Sequence, residues 1–70
     1  MPEPPASRRI VEDIRAQIES GKLQSGDRLP TMEQMREQYG CSDTPIKTAL
    51  AVLEGMGLIT RRQGVGIYVR

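Results

Sequence analysis

The sequence predicts a mostly α-helical domain that ends in a small β-hairpin. Three segments carry apolar residues at the i, i+3, i+4 spacing that places them on one face of a helix. Glycines follow all three segments, and glycine commonly ends a helix. Two short β-prone runs then flank Gln63-Gly64-Val65-Gly66, a connection typical of a hairpin. This order predicts a winged helix-turn-helix, with a three-helix core and a two-stranded wing.

Length and composition narrow the possible classes of protein. Seventy residues form one small domain, and its core must be aliphatic because Phe and Trp are absent. The single Cys41 rules out an internal disulfide and fits a reducing cytoplasm, which is the expected location. Without histidine a zinc site lacks ligands, so neither a metal nor a cofactor is expected. The sequence contains no apolar run near the ~20 residues that span a bilayer and no signal-peptide pattern.

The net charge of +1 does not by itself indicate a nucleic-acid binder, but the charge is unevenly distributed. Residues 57–70 hold three arginines and no acidic residue, whereas residues 30–56 hold two basic and four acidic residues. Binding to phosphates depends on local contacts rather than on total charge. The predicted wing is therefore the strongest basic feature of the chain.

The first helix is predicted from about Ser7, as its N-cap, to Ser20. Its apolar positions are Ile10, Val11, Ile14 and Ile18, and Gly21 ends it. The preceding segment, residues 1–6, holds three of the five prolines and is predicted to be a flexible arm, so that residues 7–70 form the folded domain.

The second helix follows a turn at Ser25-Gly26-Asp27 and an extended Arg28-Leu29-Pro30. Thr31 caps it, and Gln34 completes a capping box. Its inner stripe is Met32, Met35 and Tyr39, and Gly40 ends it.

The third helix is predicted from its cap, Ser42, to Met56, with Pro45 in the first turn and Gly57 after the end. One face is apolar and comprises Ile46, Ala49, Leu50, Leu53 and Met56. The other face is small, hydroxyl-bearing and basic, with Thr44, Lys47, Thr48 and Ala51. A helix that enters a nucleic-acid groove needs such a face, because bulky side chains would keep it out. Strands are predicted at Leu58–Arg62 and Gly66–Val69.

An ordered set of motifs runs from about Ile10 to Val69 without a gap. It comprises Ser20-Gly21-Lys22-Leu23, Gly26-Asp27-Arg28-Leu29-Pro30-Thr31, Tyr39-Gly40-Cys41-Ser42, Thr44-Pro45-Ile46, Ala49-Leu50, Leu53-Glu54, Gly57-Leu58-Ile59 and Arg61-Arg62-Gln63-Gly64-Val65-Gly66-Ile67-Tyr68-Val69. The set resembles the N-terminal winged-helix domain of the GntR family of bacterial transcription regulators.

The resemblance implies a regulator of the repressor type, and not an enzyme, that forms a homodimer and binds a palindromic double-stranded DNA operator. It also implies a C-terminal domain that dimerises and senses a small molecule. That domain is expected beyond Arg70, so this chain is expected to be an excised DNA-binding domain; a naturally short regulator is the alternative. The operator sequence, the effector and the regulated genes are not determined by these residues.

The resemblance also implies DNA contacts at the start of the recognition helix. Ser42 and Thr44 match positions that bind phosphate or base edges, although an N-cap role alone also explains Ser42. Lys47 replaces a common arginine at a base- or phosphate-contacting position, and a solvated lysine is the alternative. Thr48 is expected near a thymine methyl or a phosphate. Pro45 lies at a family position against the DNA backbone.

In the family the wing enters or skirts the minor groove, which places Arg61, Arg62, Gln63 and Gly64 there. A hairpin with solvated charges is the alternative. Two further candidates for DNA contact, Arg28 and Thr31, lie just before the second helix.

This sequence departs from the family pattern at two places. Asp43 occupies a position where the family often has an arginine that reads guanine; an acid there repels phosphate or accepts from a cytosine amino group. Met32-Glu33 replaces a common Glu-Arg pair. We therefore expect an operator that differs from the family's usual core sequence, and Arg36 is a candidate to compensate. Cys41 and the methionines of the helices are interpreted as core residues rather than as redox or metal sites.

Two other functions compete with DNA binding. In the first, the third helix of a protein-interaction winged helix would dock on a partner protein. The second is a fragment of a GntR-like enzyme fused to an aminotransferase-like domain that uses pyridoxal phosphate, whose catalytic part would lie beyond Arg70. Salt dependence of DNA binding separates the first alternative from the main hypothesis.

Overall fold

The computed structural model describes residues 5–70, and it consists of three α-helices followed by two antiparallel strands. The elements are α1 (Ala6–Glu19), α2 (Met32–Tyr39), α3 (Asp43–Gly55), β1 (Ile59–Arg62) and β2 (Gly66–Val69). Ile59 lies opposite Val69 and Arg62 opposite Gly66 in the hairpin. The predicted three-helix core with a two-stranded wing is confirmed. In the described part of the chain, none of the helices has the length and apolar character that a membrane span requires.

A single aliphatic cluster joins the three helices and the hairpin, with α3 packed against both α1 and β1. Its buried members are Ile10, Ile14, Leu29, Met35, Ile46, Ala49, Leu50, Leu53 and Ile59. Because α3 buries four of its five predicted apolar positions there, its opposite face is left to solvent. The fifth position, Met56, was predicted wrongly: its side chain is 46% exposed, since the cluster ends at Leu53, one turn earlier.

The start of α1 also differs from the prediction. Pro5 occupies the N-cap position, and its carbonyl accepts from the amides of Arg8 and Arg9. Ser7 is therefore the second helical residue and not the cap, and α1 occupies residues 6–19 rather than 7–20. Of the predicted arm, residues 1–4 lie outside the described residues, and Ala6 already belongs to α1.

The segment before α2 pairs with the outer edge of the hairpin, which the sequence did not indicate. The amide of Gly26 donates to the carbonyl of Val69, and the amide of Leu29 donates to the carbonyl of Ile67, each at 2.8 Å. Arg28 and Tyr68 form the bridge between these bonds. The turn between α1 and α2 and the base of the wing therefore form one unit.

The helix-turn-helix itself forms as predicted. Thr31 and Gln34 make both hydrogen bonds of a capping box at the start of α2. Gly40 ends α2 with φ +62°, a left-handed conformation that glycine adopts without steric penalty. Cys41, in the turn that follows, is only partly buried against the core, whereas full burial was expected.

A hydrogen bond between distant residues fixes α2 relative to α1. The Tyr39 hydroxyl donates to Oδ2 of Asp13 at 2.6 Å. Burial, and next the bond and charge of Asp13, raise the pKa of Tyr39 well above its ordinary value of 10.0. Above pH 10 the unfolded chain loses this proton while the folded chain keeps it, so the free energy of unfolding must fall as the pH rises.

We therefore expect the free energy of unfolding of the wild-type domain to fall more steeply above pH 10 than that of the Tyr39→Phe variant. Urea denaturation from pH 8 to 11 checks this prediction, with the phenylalanine variant as the reference because it shares every other titrating group. At pH 7 the variant should be about 1 kcal/mol less stable, the contribution of an ordinary hydrogen bond. Parallel pH profiles of the two proteins would contradict the prediction.

Two neighbouring glycines at the end of α3 should respond in opposite directions to alanine. Gly55 is helical, with open space where a Cβ would lie, so Gly55→Ala should stabilise the domain by about 0.5–1 kcal/mol. Gly57 has φ +75°, where an L-residue is strained, so Gly57→Ala should destabilise it by about 1 kcal/mol. Urea denaturation of both variants provides the comparison, and changes of the same sign would refute the assignment.

Candidate nucleic-acid interface

The outer face of α3 is exposed and lined by small polar side chains and one lysine. Thr44, Lys47, Thr48 and Ala51 are all exposed, as the helical period predicted. The Thr48 hydroxyl donates to the carbonyl of Thr44 at 3.0 Å, so its proton is used within the helix. Its oxygen and methyl group remain free for a ligand. The Lys47 ammonium therefore provides the cationic donors of this face.

The N-terminal end of α3 presents unused polar groups. Ser42 occupies the N-cap position, but its side chain makes no capping hydrogen bond, contrary to the prediction. The first amides of a helix have no partner within it, which here applies to Asp43 and Thr44. Pro45, in the first turn, has no amide to satisfy. A free hydroxyl and free amides at a helix N-terminus are groups that bind phosphate well.

Asp43 is paired with an arginine from the preceding helix. Nη1 of Arg36 donates to Oδ1 of Asp43 at 2.8 Å, and the two side chains are 44% and 43% exposed. The contact bridges α2 and α3 across their turn. Because it neutralises Asp43, the carboxylate no longer opposes an anion as a free acid would.

Arg61 and Arg62 are successive residues of β1 and therefore point to opposite faces of the hairpin. Nε of Arg61 lies 3.8 Å from Oε1 of Glu54 on α3. The guanidinium of Arg62 lies 5.8 Å from the ring centroid of Tyr68, in a cation–π contact. Arg61 is thus partly neutralised, whereas Arg62 has no acidic partner among residues 5–70 and packs on an aromatic ring.

A groove of about 500 Å³ separates the wing from the start of α2. The side chain of Arg28 lies directly against Gly66 in this groove. A Cβ atom added to Gly66 would lie 2.9 Å from Nε of Arg28. Alanine at this position would force the flexible end of the Arg28 side chain to move, and Gly66 also has φ +151°, a conformation that L-residues rarely adopt. The lining combines apolar and basic residues, namely Arg28, Leu29, Pro30, Thr31, Met32, Arg61, Arg62, Gln63, Gly64, Val65, Gly66 and Ile67.

The structure brings the predicted site residues together in two sets. One set lines this groove and comprises Arg28, Thr31, Arg61, Arg62, Gln63 and Gly64. The other lies in the N-cap and first turns of α3 and comprises Ser42, Asp43, Thr44, Pro45, Lys47 and Thr48. Sequence reasoning missed Tyr68, although its diagonal position across the strand pair from Arg62 follows from the hairpin register.

A family model described as bacterial regulatory proteins of the gntR family matches residues 6–69. Among curated relatives, the chain is 35% identical over 65 residues to the HTH-type transcriptional regulator Rv0792c of Mycobacterium tuberculosis, covering 93% of this chain and 24% of that protein. It is 36% identical over 66 residues to MngR of Escherichia coli, the mannosyl-D-glycerate transport/metabolism system repressor, covering 94% and 28%.

Solved structures give the same result. The DNA-binding domain of AraR, crystallised in complex with operator ORX1, matches with a TM-score of 0.93 and 29% identity, over 97% of this chain and 82% of that one. The possible transcriptional regulator YydK of Bacillus subtilis matches with a TM-score of 0.84 and 37% identity, over 93% of this chain and 28% of that one.

The chain spans about a quarter of the length of the curated relatives. Those relatives are transcriptional regulators, and the matched part has the same winged-helix arrangement of three helices and a hairpin. The family model covers residues 6–69, from the start of α1 to the end of β2, and the structural match to the AraR domain covers 97% of this chain. The chain therefore belongs to the gntR family of bacterial regulatory proteins.

Proposed function

We propose that this chain is a sequence-specific DNA-binding domain that places α3 in the major groove of an operator and the wing at the minor groove. The observation that carries the proposal is the likeness to the AraR domain crystallised with operator DNA. A free α3 face with groove-compatible side chains and a basic wing support it independently.

Particular residues are proposed for each part of the contact. Thr44, Lys47 and Thr48 would face base edges and phosphates along α3, while Ser42 and the free amides beside it would hold a phosphate. Arg62 would reach towards the minor groove, and Gly64 at the wing tip permits close approach of the backbone.

The remaining contacts position the domain. Arg28 and Thr31, at the groove beside α2, would bind the backbone of the DNA, as would Pro45 by van der Waals contact. Arg61 and Gln63 would assist the wing.

The assembly is part of the proposal. We expect a homodimer in a bacterial cytoplasm that binds a palindromic operator, with a further domain that supplies dimerisation and responds to a small molecule. MngR and NagR are both named as repressors, which favours repression as the outcome. One domain alone makes few contacts, so the isolated chain should bind weakly.

The test is selection of duplexes from a random pool with the chain fused to a neutral dimeriser. We expect a palindrome to be enriched and the enrichment to be lost with Lys47→Ala together with Arg62→Ala. Arg9→Ala together with Lys22→Ala also removes two positive charges, from α1 and the turn after it, and provides the matched control. Binding no better than to random DNA, even at low salt, would refute the proposal and favour a protein partner for α3.

A further inference from the structure

The ion pair between Arg36 and Asp43 lies at the leading end of the helix proposed to enter the major groove. Asp43 is the first residue of α3, one turn before Lys47 on the same side of the helix. Nη1 of Arg36 holds Oδ1 of Asp43 at 2.8 Å, and both side chains remain almost half exposed. An exposed pair of this kind contributes little to stability. Its position at the start of α3 places it where it can affect DNA recognition.

The ion pair removes the repulsion that Asp43 alone would exert on DNA phosphates. A free carboxylate at the DNA-facing end of a helix would be repelled by phosphates and would weaken binding to every sequence. Bonded to Arg36, Asp43 forms a unit without net charge. The unit can therefore approach DNA closely, while one carboxylate oxygen retains its capacity to accept a hydrogen bond.

That remaining oxygen can discriminate between bases. Among residues 5–70, Oδ2 of Asp43 receives no hydrogen bond, and an ionised carboxylate can only accept. In the major groove cytosine offers an amino donor, whereas guanine and thymine offer acceptors. Adenine offers an amino donor beside N7, an acceptor that repels a carboxylate. Cytosine is the base that fits best.

We propose that Arg36 and Asp43 act as one specificity-determining unit, in which Asp43 reads a cytosine in each half-site and Arg36 is the positioning residue that holds and neutralises it. This inference rests on the proposed function, because it requires α3 in the major groove. It predicts a cytosine on one strand at one half-site position, with a preference over other bases of about tenfold.

The decisive experiment exchanges the two charges. The double variant Arg36→Asp/Asp43→Arg retains an opposite-charge pair across the turn but places a guanidinium at the first position of α3. Arginine reads guanine through O6 and N7, so the preferred base should change from cytosine to guanine at that position alone. The matched control is Arg15→Glu/Glu19→Arg, which exchanges an exposed ion pair on α1 and should leave every base preference unchanged.

Two further variants separate reading from positioning. Asp43→Asn is nearly isosteric and should shift the preference towards adenine, which an amide pairs with bidentately. Arg36→Ala leaves the acid unpaired and should weaken binding to all duplexes about threefold to tenfold, a loss that the added Asp43→Asn should relieve. If the ion pair only stabilised the fold, these variants would shift the thermal midpoint of unfolding but would not change the base preference.

The outcomes distinguish this inference from the proposed function. If the wild-type chain selects no palindrome, the proposed function fails. If it selects one, but the charge-exchanged and Asp43→Asn variants fold and select the same bases at every position, the unit does not read DNA and this inference is overturned. Circular dichroism of each variant before selection establishes that it is folded.

Discussion

Lys47→Ala is expected to raise the dissociation constant for the selected operator about tenfold for each half-site bound, because each protomer loses one charge-assisted hydrogen bond. The lysine is exposed on the outer face of α3, where the neighbouring Thr48 has already committed its hydroxyl proton to the helix. The side chain is therefore available for the proposed DNA contact and contributes little to the fold. Its removal should leave the thermal midpoint unchanged.

Fluorescence anisotropy against salt concentration shows which group Lys47 contacts. If it binds phosphate, the slope of log K against log salt should fall in magnitude by about one per protomer, and binding to random duplexes should weaken equally. If it reads guanine, the slope should hold and the preference at one position should relax. Lys22→Ala should have no comparable effect; an equal loss with that control would mean that only overall charge matters.

Leu53→Ala is expected to destabilise the domain more than any surface substitution. The Leu53 side chain is fully buried in the aliphatic cluster, and its truncation should lower the free energy of unfolding by about 2–5 kcal/mol. A domain of this size has roughly 4–10 kcal/mol in total, so the variant should be largely unfolded or close to it. DNA binding should fall with the folded fraction.

Val52→Ala is the matched control, because it shortens the next aliphatic side chain along α3. The Val52 side chain is 46% exposed. The effect of this substitution should stay below about 1 kcal/mol. Urea denaturation followed by circular dichroism provides both values. A Leu53→Ala variant as stable as Val52→Ala would contradict the burial of Leu53 in the core.

Local features of the sequence were enough to locate the elements. The apolar period of α3 identified both its buried side and its exposed side, because 3.6 residues per turn fix the direction of every side chain along a regular helix. Thr31 and Gln34 marked the start of α2 for a similar reason, since a capping box involves residues only three positions apart. Such reasoning fails at some helix ends: Ser7 is not the cap of α1, Met56 is exposed, and Ser42, although it is the N-cap of α3, makes no capping hydrogen bond.

The partners of the charged residues could not be derived in the same way. Arg36 meets Asp43 because the turn after Gly40 sets the angle between α2 and α3. Arg28 lies over Gly66 because the segment before α2 pairs with β2. Both contacts depend on the relative position of whole elements, which no short sequence pattern encodes.

The sequence by itself determined three helices, a hairpin, the side of α3 that faces outward and, through its ordered motifs, the family. The tertiary structure decided which charges remain available on that surface. It pairs Asp43 with Arg36, partly neutralises Arg61 with Glu54 and supports Arg62 on Tyr68. The physical reason is the distance along the chain over which each effect acts. Periodicity and capping involve residues within about one helical turn. Charged side chains from different elements come into contact only after the core has placed the helices and the hairpin against one another.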